Sequence, residues 1–318
     1  MTEKRPMVIL TGPTAVGKTA LSIELAKKIN GSIISADSMQ VYRHMDIGSA
    51  KVMPEEMNGV KHYLIDEFEP DEEFNVHVFK EKTLEYMDKI YEAGKIPIIV
   101  GGTGFYIQSV LYDIQFNDEE IDSAYRKELE NIAKEKGNDY LHNMLKEVDE
   151  ESALNIHKNN LKRVIRALEF YKNTGEKIST HNEEQSQNIS PYNFVYFVLN
   201  DKRELLYERI NKRVDIMFDK GLVNEVKNLL NMGYTKDLVS MNGIGYKEVV
   251  DYINGKYSLD ETKEIIKRET RHFAKRQLTW FRREKDVTMV NYFDYDSIDD
   301  TLKYMINTLR EKDIIKND

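Results

Sequence analysis

The sequence predicts an α/β fold, a parallel sheet covered by helices and interrupted by a helical insertion, and three observations carry that reading. Over about the first hundred residues short apolar runs alternate with longer amphipathic stretches, as strands and crossover helices do. Directly after the first run comes a glycine-bracketed segment, Gly12–Thr19, that opens a helix. From about Asn117 to Asn188 the texture turns charged and strand-poor, and a β-rich run, Phe194–Leu199, resumes the sheet pattern.

In chain order, Met7–Leu10, Ser32–Ser35, His62–Ile65 and Ile96–Val100 are the expected early strands. Between the first two, Ala20, Leu21, Leu25, Ala26 and Ile29 recur at helical spacing. Between the last two, Val78, Phe79, Lys82, Met87, Ile90 and Tyr91 do the same. The core domain is expected to take residues 1–116 and 190–318, the second part ending in a helical region, with residues 117–189 as the inserted helical domain. No internal repeat or low-complexity tract is found.

Composition limits the function classes. There are 46 Lys+Arg against 55 Asp+Glu, a net charge of −9, which argues against a protein that coats nucleic acid nonspecifically. The absence of cysteine excludes disulfides, thiolate zinc sites and thiol nucleophiles, and it fits a reducing cytoplasm. No apolar run approaches the ~20 residues of a membrane span, and the first run is too short for a signal peptide. A cytoplasmic protein with no membrane partner is expected.

The segment Gly12-Pro13-Thr14-Ala15-Val16-Gly17-Lys18-Thr19 satisfies G-x-x-x-x-G-K-[ST] between a strand and a helix, the context that the motif requires. Its glycines let successive N–H groups and the positive helix end face an anion. Lys18 adds a charge on the terminal phosphate, and the Thr19 hydroxyl is placed to ligate Mg²⁺. A solvated glycine turn is the bland alternative, and strand, spacing and helix together outweigh it. The motif fixes a phosphate or diphosphate ligand of a nucleotide-binding type of site, without saying which.

Ligands of open parallel sheets sit beyond the carboxyl ends of the strands. Asp37 and Ser38 fall there, where Asp37 could accept a proton from a nucleophile in line with the bound phosphate or could simply cap a helix. Gly101-Gly102-Thr103-Gly104 follows another strand end, with Thr103 offering a hydroxyl. After the late strand, Arg203, Arg209 and Arg213 occupy a helical stretch, the last two on one face. Guanidinium groups over the cradle would stabilise a leaving diphosphate. Glu204 and Glu208 nearby keep a solvated face open as the other reading.

Between Lys263 and Lys285 stand nine basic residues and three acids, in a chain whose total is negative. Lys267, Arg271 and Lys275 repeat every four residues, while Ile266, Phe273, Ala274 and Phe281 offer a face to bury. Such a stripe could track a phosphate backbone, with His272 and Trp280 as stacking groups, though Trp280 also suits a core. Lys158, Lys162, Arg163 and Arg166 form a second cluster in the insertion. Two patches on separate elements suggest a clamp.

These residues fall into ordered motifs that resemble the bacterial tRNA dimethylallyltransferase family over essentially the whole chain. They are GPTAVGKT at Gly12–Thr19, ISADSMQVYRHMDIGSAK at Ile34–Lys51, HYLID at His62–Asp66, GGTGFY at Gly101–Tyr106, KRVIRALE at Lys162–Glu169, GIGYKE at Gly243–Glu248 and TRHFAKRQLTWFRR at Thr270–Arg283. The resemblance implies a P-loop core of the nucleoside-kinase type and an inserted domain that helps grip the anticodon arm. It implies that dimethylallyl is transferred from dimethylallyl diphosphate to the N6 amine of the adenosine on the 3′ side of the anticodon, with Asp37 as general base and Thr14–Thr19 holding the diphosphate with Mg²⁺. Thr103 and Asp37, Ser38, Met39 and Gln40 would line the base site. Arg126, the stretch from Lys162 through Arg163 to Arg166, and the stretch containing Arg271, Lys275, Arg276 and Gln277 would meet the RNA. A monomer is expected.

Other classes remain to be separated by assay. A small-molecule or nucleoside kinase shares the P-loop and could use Asp37 on a hydroxyl, but leaves the basic helix and the insertion unexplained. A free-nucleotide prenyltransferase would not need RNA contacts. An RNA-binding NTPase switch would use phosphate binding to move them.

Overall fold

The computed structural model describes residues 4–116 and 123–316, so the expected domain boundary at residue 117 lies outside the described residues. Two compact units result, Met1–Leu111 with Pro191–Asp318, and Tyr112–Ser190.

The first unit is built on a six-stranded parallel sheet of β1 (Pro6–Thr11), β2 (Gly31–Ala36), β3 (His62–Tyr63), β4 (Ile96–Gly101), β5 (Asn193–Asn200) and β6 (Val287–Asn291). Their order is β3-β2-β4-β1-β5-β6. Strands covered on both faces need not alternate, and Met7 to Leu10 are all fully buried. From β1 the chain crosses to β2 on one side of β4, whereas β5 lies on the other side of β1. The connections therefore diverge beside β1 and β4, the place where open sheets bind ligands.

The early helices of this unit are α1 (Lys18–Lys28), α2 (Val76–Glu92) and α3 (Gly104–Leu111). Asn75 caps α2 by accepting from the backbone of His77 and Val78, which satisfies two of its orphan donors. The inserted unit consists of α4 (Ser123–Lys136), α5 (Asn138–Val148), α6 (Glu150–Asn155), α7 (Leu161–Thr174) and α8 (Ile178–Ser186). It has its own core, in which Leu129, Leu141, Leu145 and Val164 are fully buried. The buried Asp149 carboxylate accepts from the backbone and hydroxyl of both Ser152 and Ser179, tying the starts of α6 and α8 together. Burial works to raise its pKa, but these bonds overcome it and hold the carboxyl below its usual range.

The chain returns to the first unit through α9 (Arg203–Asp219), α10 (Leu222–Asn231), α11 (Tyr246–Ile253), α12 (Leu259–Phe281) and α13 (Ile298–Glu311). A capping box starts α12: Ser258 Oγ accepts from Glu261 N–H and Glu261 accepts from Ser258 N–H. Leu302, Met305 and Leu309 of α13 join the core cluster that includes Leu21 and Leu25 of α1.

Two expectations need adjustment. The strand expected over His62–Ile65 stops at Tyr63, because Leu64 (φ 59°) and Asp66 (φ 57°) take left-handed conformations that no strand accommodates. The C-terminal part, expected to be helical, also contributes β6, an edge strand of five residues directly after the basic run.

Candidate active site

The cradle follows from local backbone demands. Gly12 at φ 149° runs so close to β5 that a Cβ there would lie 2.5 Å from the Leu199 carbonyl oxygen. Gly17, at φ 100°, delivers the chain into the first turn of α1. Between them Pro13, Thr14, Ala15 and Val16 form the loop, and Lys18 Nζ donates to the Gly12 and Pro13 carbonyls, both at 2.9 Å. Thr19 lies in the first turn of α1 and is exposed.

Three strand ends meet at this loop. Thr11 Oγ1 donates to the Gly101 carbonyl at 2.7 Å, tying β1 to β4, and Thr103 N–H donates to the Ala36 carbonyl at 3.2 Å, tying the β4 turn to β2. Beyond β2, Asp37 uses its two oxygens differently. Oδ1 accepts from the N–H groups of Met39 (2.9 Å) and Gln40 (3.3 Å), while Oδ2 has no hydrogen-bond partner among the described residues. The carboxylate is thus locked in orientation with one basic oxygen unused.

Lys18, Thr19, Asp37 and Gln40 line one small cavity of about 50 Å³ together with Ile33, Val52, Ile65 and Val100. Burial pulls the Lys18 ammonium down to about 8, with Asp37 opposing and Arg213 adding to the fall. Burial likewise lowers Arg213, against the pull of Asp37. Two cations and one anion therefore converge on the cradle.

The two arginines expected to act as a pair take different positions. Arg213 lies within electrostatic range of Lys18 and Asp37. Arg209 is held at 2.7 Å by the buried Asp201 at the end of β5. Tyr292, just after β6, went unnoticed in the sequence: its hydroxyl lies 3.5 Å from where a Cβ on Gly17 would be. A lone tyrosine after an edge strand carries no pattern that would single it out.

Gln277 on α12 is more central than its place among RNA-facing residues suggested. Its side chain is 6 % exposed. Oε1 accepts from Thr14 N–H at 2.8 Å and Nε2 donates to the Gly102 carbonyl at 3.0 Å, so one amide joins the phosphate loop to the β4 turn. Gly102 permits this approach, since a Cβ there would sit 2.1 Å from Nε2. Gln277→Ala strands a part-buried donor and acceptor, so it should cost about 1–3 kcal/mol of stability and weaken diphosphate binding. Thermal unfolding and calorimetric titration with inorganic diphosphate check both.

The basic stripe of α12 is only partly a free face. Lys267 pairs with Asp215 (2.9 Å) and Glu264 (3.1 Å), and Arg271 donates to Asn211 (2.6 Å), so these two tie α12 to α9. Lys275 and Arg276 are exposed. Phe273, expected on the buried side, is 37 % exposed with the Arg276 guanidinium 5.7 Å from its ring centre, whereas Ile266, Ala274 and Phe281 are buried. His272, Lys275, Arg276, Trp280 and Arg283 line a cavity of about 620 Å³, where Trp280 also packs on Gly104.

In the inserted unit, Lys162, Arg163 and Arg166 are exposed along α7. Arg126 makes a two-pronged bond to the buried Glu169 (2.8 and 2.7 Å), so its guanidinium is anchored to α7. Lys158 pairs with Asp139 at 2.6 Å.

The family model described as IPP transferase matches residues 40–284. The chain belongs to the IPP transferase family. Within the family it is 62 % identical over 312 residues to a tRNA dimethylallyltransferase of Lachnoclostridium phytofermentans, covering 98 % of this chain and all of the relative. A tRNA dimethylallyltransferase of Acetivibrio thermocellus is 54 % identical over 305 residues, 95 % of this chain and 97 % of that one. Among solved structures, the tRNA isopentenylpyrophosphate transferase of Bacillus halodurans superposes with a TM-score of 0.73 at 43 % identity, covering 98 % of both chains. A eukaryotic dimethylallyltransferase described as acting on tRNA gives a TM-score of 0.82 at 29 % identity, covering 96 % of this chain and 80 % of that one. The six-stranded parallel α/β core is thus the architecture of IPP transferases.

Proposed function

We propose that the protein transfers a dimethylallyl group from dimethylallyl diphosphate to the N6 amine of the adenosine 3′-adjacent to the anticodon in tRNA. The observation that carries this reading is the Asp37 carboxylate, fixed through Oδ1 and unpartnered at Oδ2 among the described residues, in one cavity with Lys18 and Thr19 of the cradle. The N6 nitrogen attacks C1 of the dimethylallyl group, and the C1–O bond breaks with its electron pair passing to the diphosphate. The surplus N6 proton passes to Asp37 Oδ2. Lys18, Arg213 and the loop N–H groups offset the charge that grows on the leaving diphosphate. Ile33, Val52, Ile65 and Val100, the apolar side of that cavity, would face the prenyl carbons.

Among the described residues no group of three or more His, Asp or Glu side chains could hold a metal ion. Mg²⁺ suits the site because it commonly keeps waters and binds through substrate phosphates. Thr19 and the diphosphate oxygens would hold it, and it would neutralise developing charge. Thr103 and Ser38 to Gln40 flank the adenine. The target base leaves its stack to reach Asp37, so each unit offers the RNA its own cations, Lys162, Arg163 and Arg166 in one, Lys275 and Arg276 in the other. No helix among the described residues is long and apolar enough to cross a membrane.

The RNA part of the reading is tested with Lys275→Ala and Arg276→Ala together, leaving Arg271 in place because it holds Asn211. The salt slope of tRNA binding should flatten by up to roughly one unit for each phosphate no longer neutralised, with inorganic diphosphate bound as before. An unchanged slope would remove this face from the RNA interface. The reaction itself is tested by digesting unmodified tRNA after incubation with dimethylallyl diphosphate. One adenosine per molecule should carry the dimethylallyl group, and a kinase would instead move phosphate from ATP.

A further inference from the structure

Away from the diphosphate, Glu225 on α10 gathers three successive backbone N–H groups. Its Oε2 accepts from Asp46 (2.9 Å) and Ile47 (2.7 Å), its Oε1 from Gly48 (3.0 Å) and from the Tyr246 hydroxyl (2.8 Å). Consecutive N–H groups turned to one point form an anion-holding concavity. Here a carboxylate from a distant part of the chain fills it.

The segment so held leads back to the reacting carboxylate. Gln40 Nε2 donates to the Ala50 carbonyl at 3.3 Å, and Asp37 Oδ1 accepts from Gln40 N–H at 3.3 Å. The far end is pinned by the buried Lys51, which donates to the Tyr42 carbonyl and Asp46 Oδ1, both at 2.6 Å, and pairs with Asp66. Tyr246 is fully buried beneath Gly48, where an added Cβ would lie 2.5 Å from the ring. Met39 rests on Gly243 in the same manner, 2.6 Å from a Cβ there. Glu225 and the turn from Gly243 to Tyr246 thus back the whole stretch from Asp37 to Lys51.

We propose that Glu225 is a positioning residue for the acceptor base: by gripping Asp46 to Gly48 it fixes Gln40, and through Gln40 the Asp37 carboxylate that takes the N6 proton. This rests on the reading of the site as a tRNA prenyltransferase. Glu225 bonds to no residue of the cradle, so its loss should act first on the acceptor side, through Gln40 and Asp37. A merely structural role would lower stability and scale down donor binding and turnover together.

The test uses the full chain with labelled dimethylallyl diphosphate and unmodified tRNA. Glu225→Gln removes the charge and turns an amide toward the three N–H groups. At saturating substrates kcat should fall roughly 10- to 10²-fold, the scale of a misplaced reacting group, with the dissociation constant for dimethylallyl diphosphate unchanged within about twofold. Amide exchange at residues 46–48 should quicken. Tyr246→Phe keeps the three N–H bonds and should give a smaller loss of kcat in the same direction. Combined with Gln40→Ala, Glu225→Gln should add little further loss, because the two act in one chain of contacts. The inference is overturned if Glu225→Gln retains wild-type kcat, if donor affinity falls in step with kcat, or if the two losses multiply. Transfer by the wild-type protein in the same assay separates these outcomes from failure of the functional reading, which would leave every variant and the wild type without transfer to tRNA.

Discussion

Replacing Asp37 by alanine is expected to lower kcat roughly 10²- to 10⁴-fold, the range supplied by a positioned general base, while tRNA affinity changes little. A base acts in the transition state, so kcat and kcat/KM should fall together. Alanine also removes the acceptor of the Met39 and Gln40 N–H groups, and part of its defect could come from a loosened turn. Asp37→Asn separates the two effects. Its carbonyl can still accept at the Oδ1 position, but its amide has no basic oxygen to offer N6. The asparagine variant should therefore melt near the wild type and be nearly as inactive as the alanine variant. Wild-type rates in Asp37→Asn would make the carboxylate a cap and nothing more.

The second large effect is expected at Lys18. Removing one preorganised stabiliser of developing charge typically costs roughly 10²–10³ in kcat, and Lys18→Ala should lose about that much and bind inorganic diphosphate more weakly. Direct titration and single-turnover rates measure the two losses separately. The same residue predicts a pH effect. Its ammonium is lowered to about 8 in the free protein, chiefly by burial, so above that pH the neutral amine predominates. An anion at the cradle favours the charged form and raises the pKa again. Diphosphate binding should accordingly take up a proton between about pH 8 and the ordinary lysine value, and affinity should decline as pH rises through that window. Calorimetry in two buffers of different ionisation heat detects the uptake, and Lys18→Ala should abolish it. Because the folded pKa lies below the unfolded one, Lys18 itself opposes folding most at low pH. Its cost is relieved as pH rises through 8 toward the unfolded value.

Much of this site could be read in the chain because its parts are local. Gly12–Thr19 is one contiguous turn whose spacing and glycines fix the backbone, and β1, β2, β4 and β5 are buried runs that need no partner to be recognised. Other parts depend on distant segments. Gln277 shows only that a glutamine interrupts a basic helix, since its partners Thr14 and Gly102 are 263 and 175 residues away. Lys267 and Arg271 read as part of a free stripe because Asp215 and Asn211 lie on another helix. Glu225 carries no motif at all, and its function emerges only once the 46–48 turn is folded against it. The strand β6 was hidden for a different reason: an edge strand of five residues has too few positions to show a period.

If the cradle and Asp37 serve prenyl transfer to RNA, carbon from the donor must reach tRNA. The most direct measurement is incubation of the protein with dimethylallyl diphosphate labelled in its carbons, in parallel with unmodified tRNA, AMP and ATP, followed by recovery of each acceptor. Label is expected in tRNA alone, located on one adenosine beside the anticodon, and it should enter roughly 10²- to 10⁴-fold more slowly when Asp37→Asn replaces the wild type. Label in AMP or ATP with none in tRNA, or phosphate transfer from ATP with no movement of carbon, would contradict it.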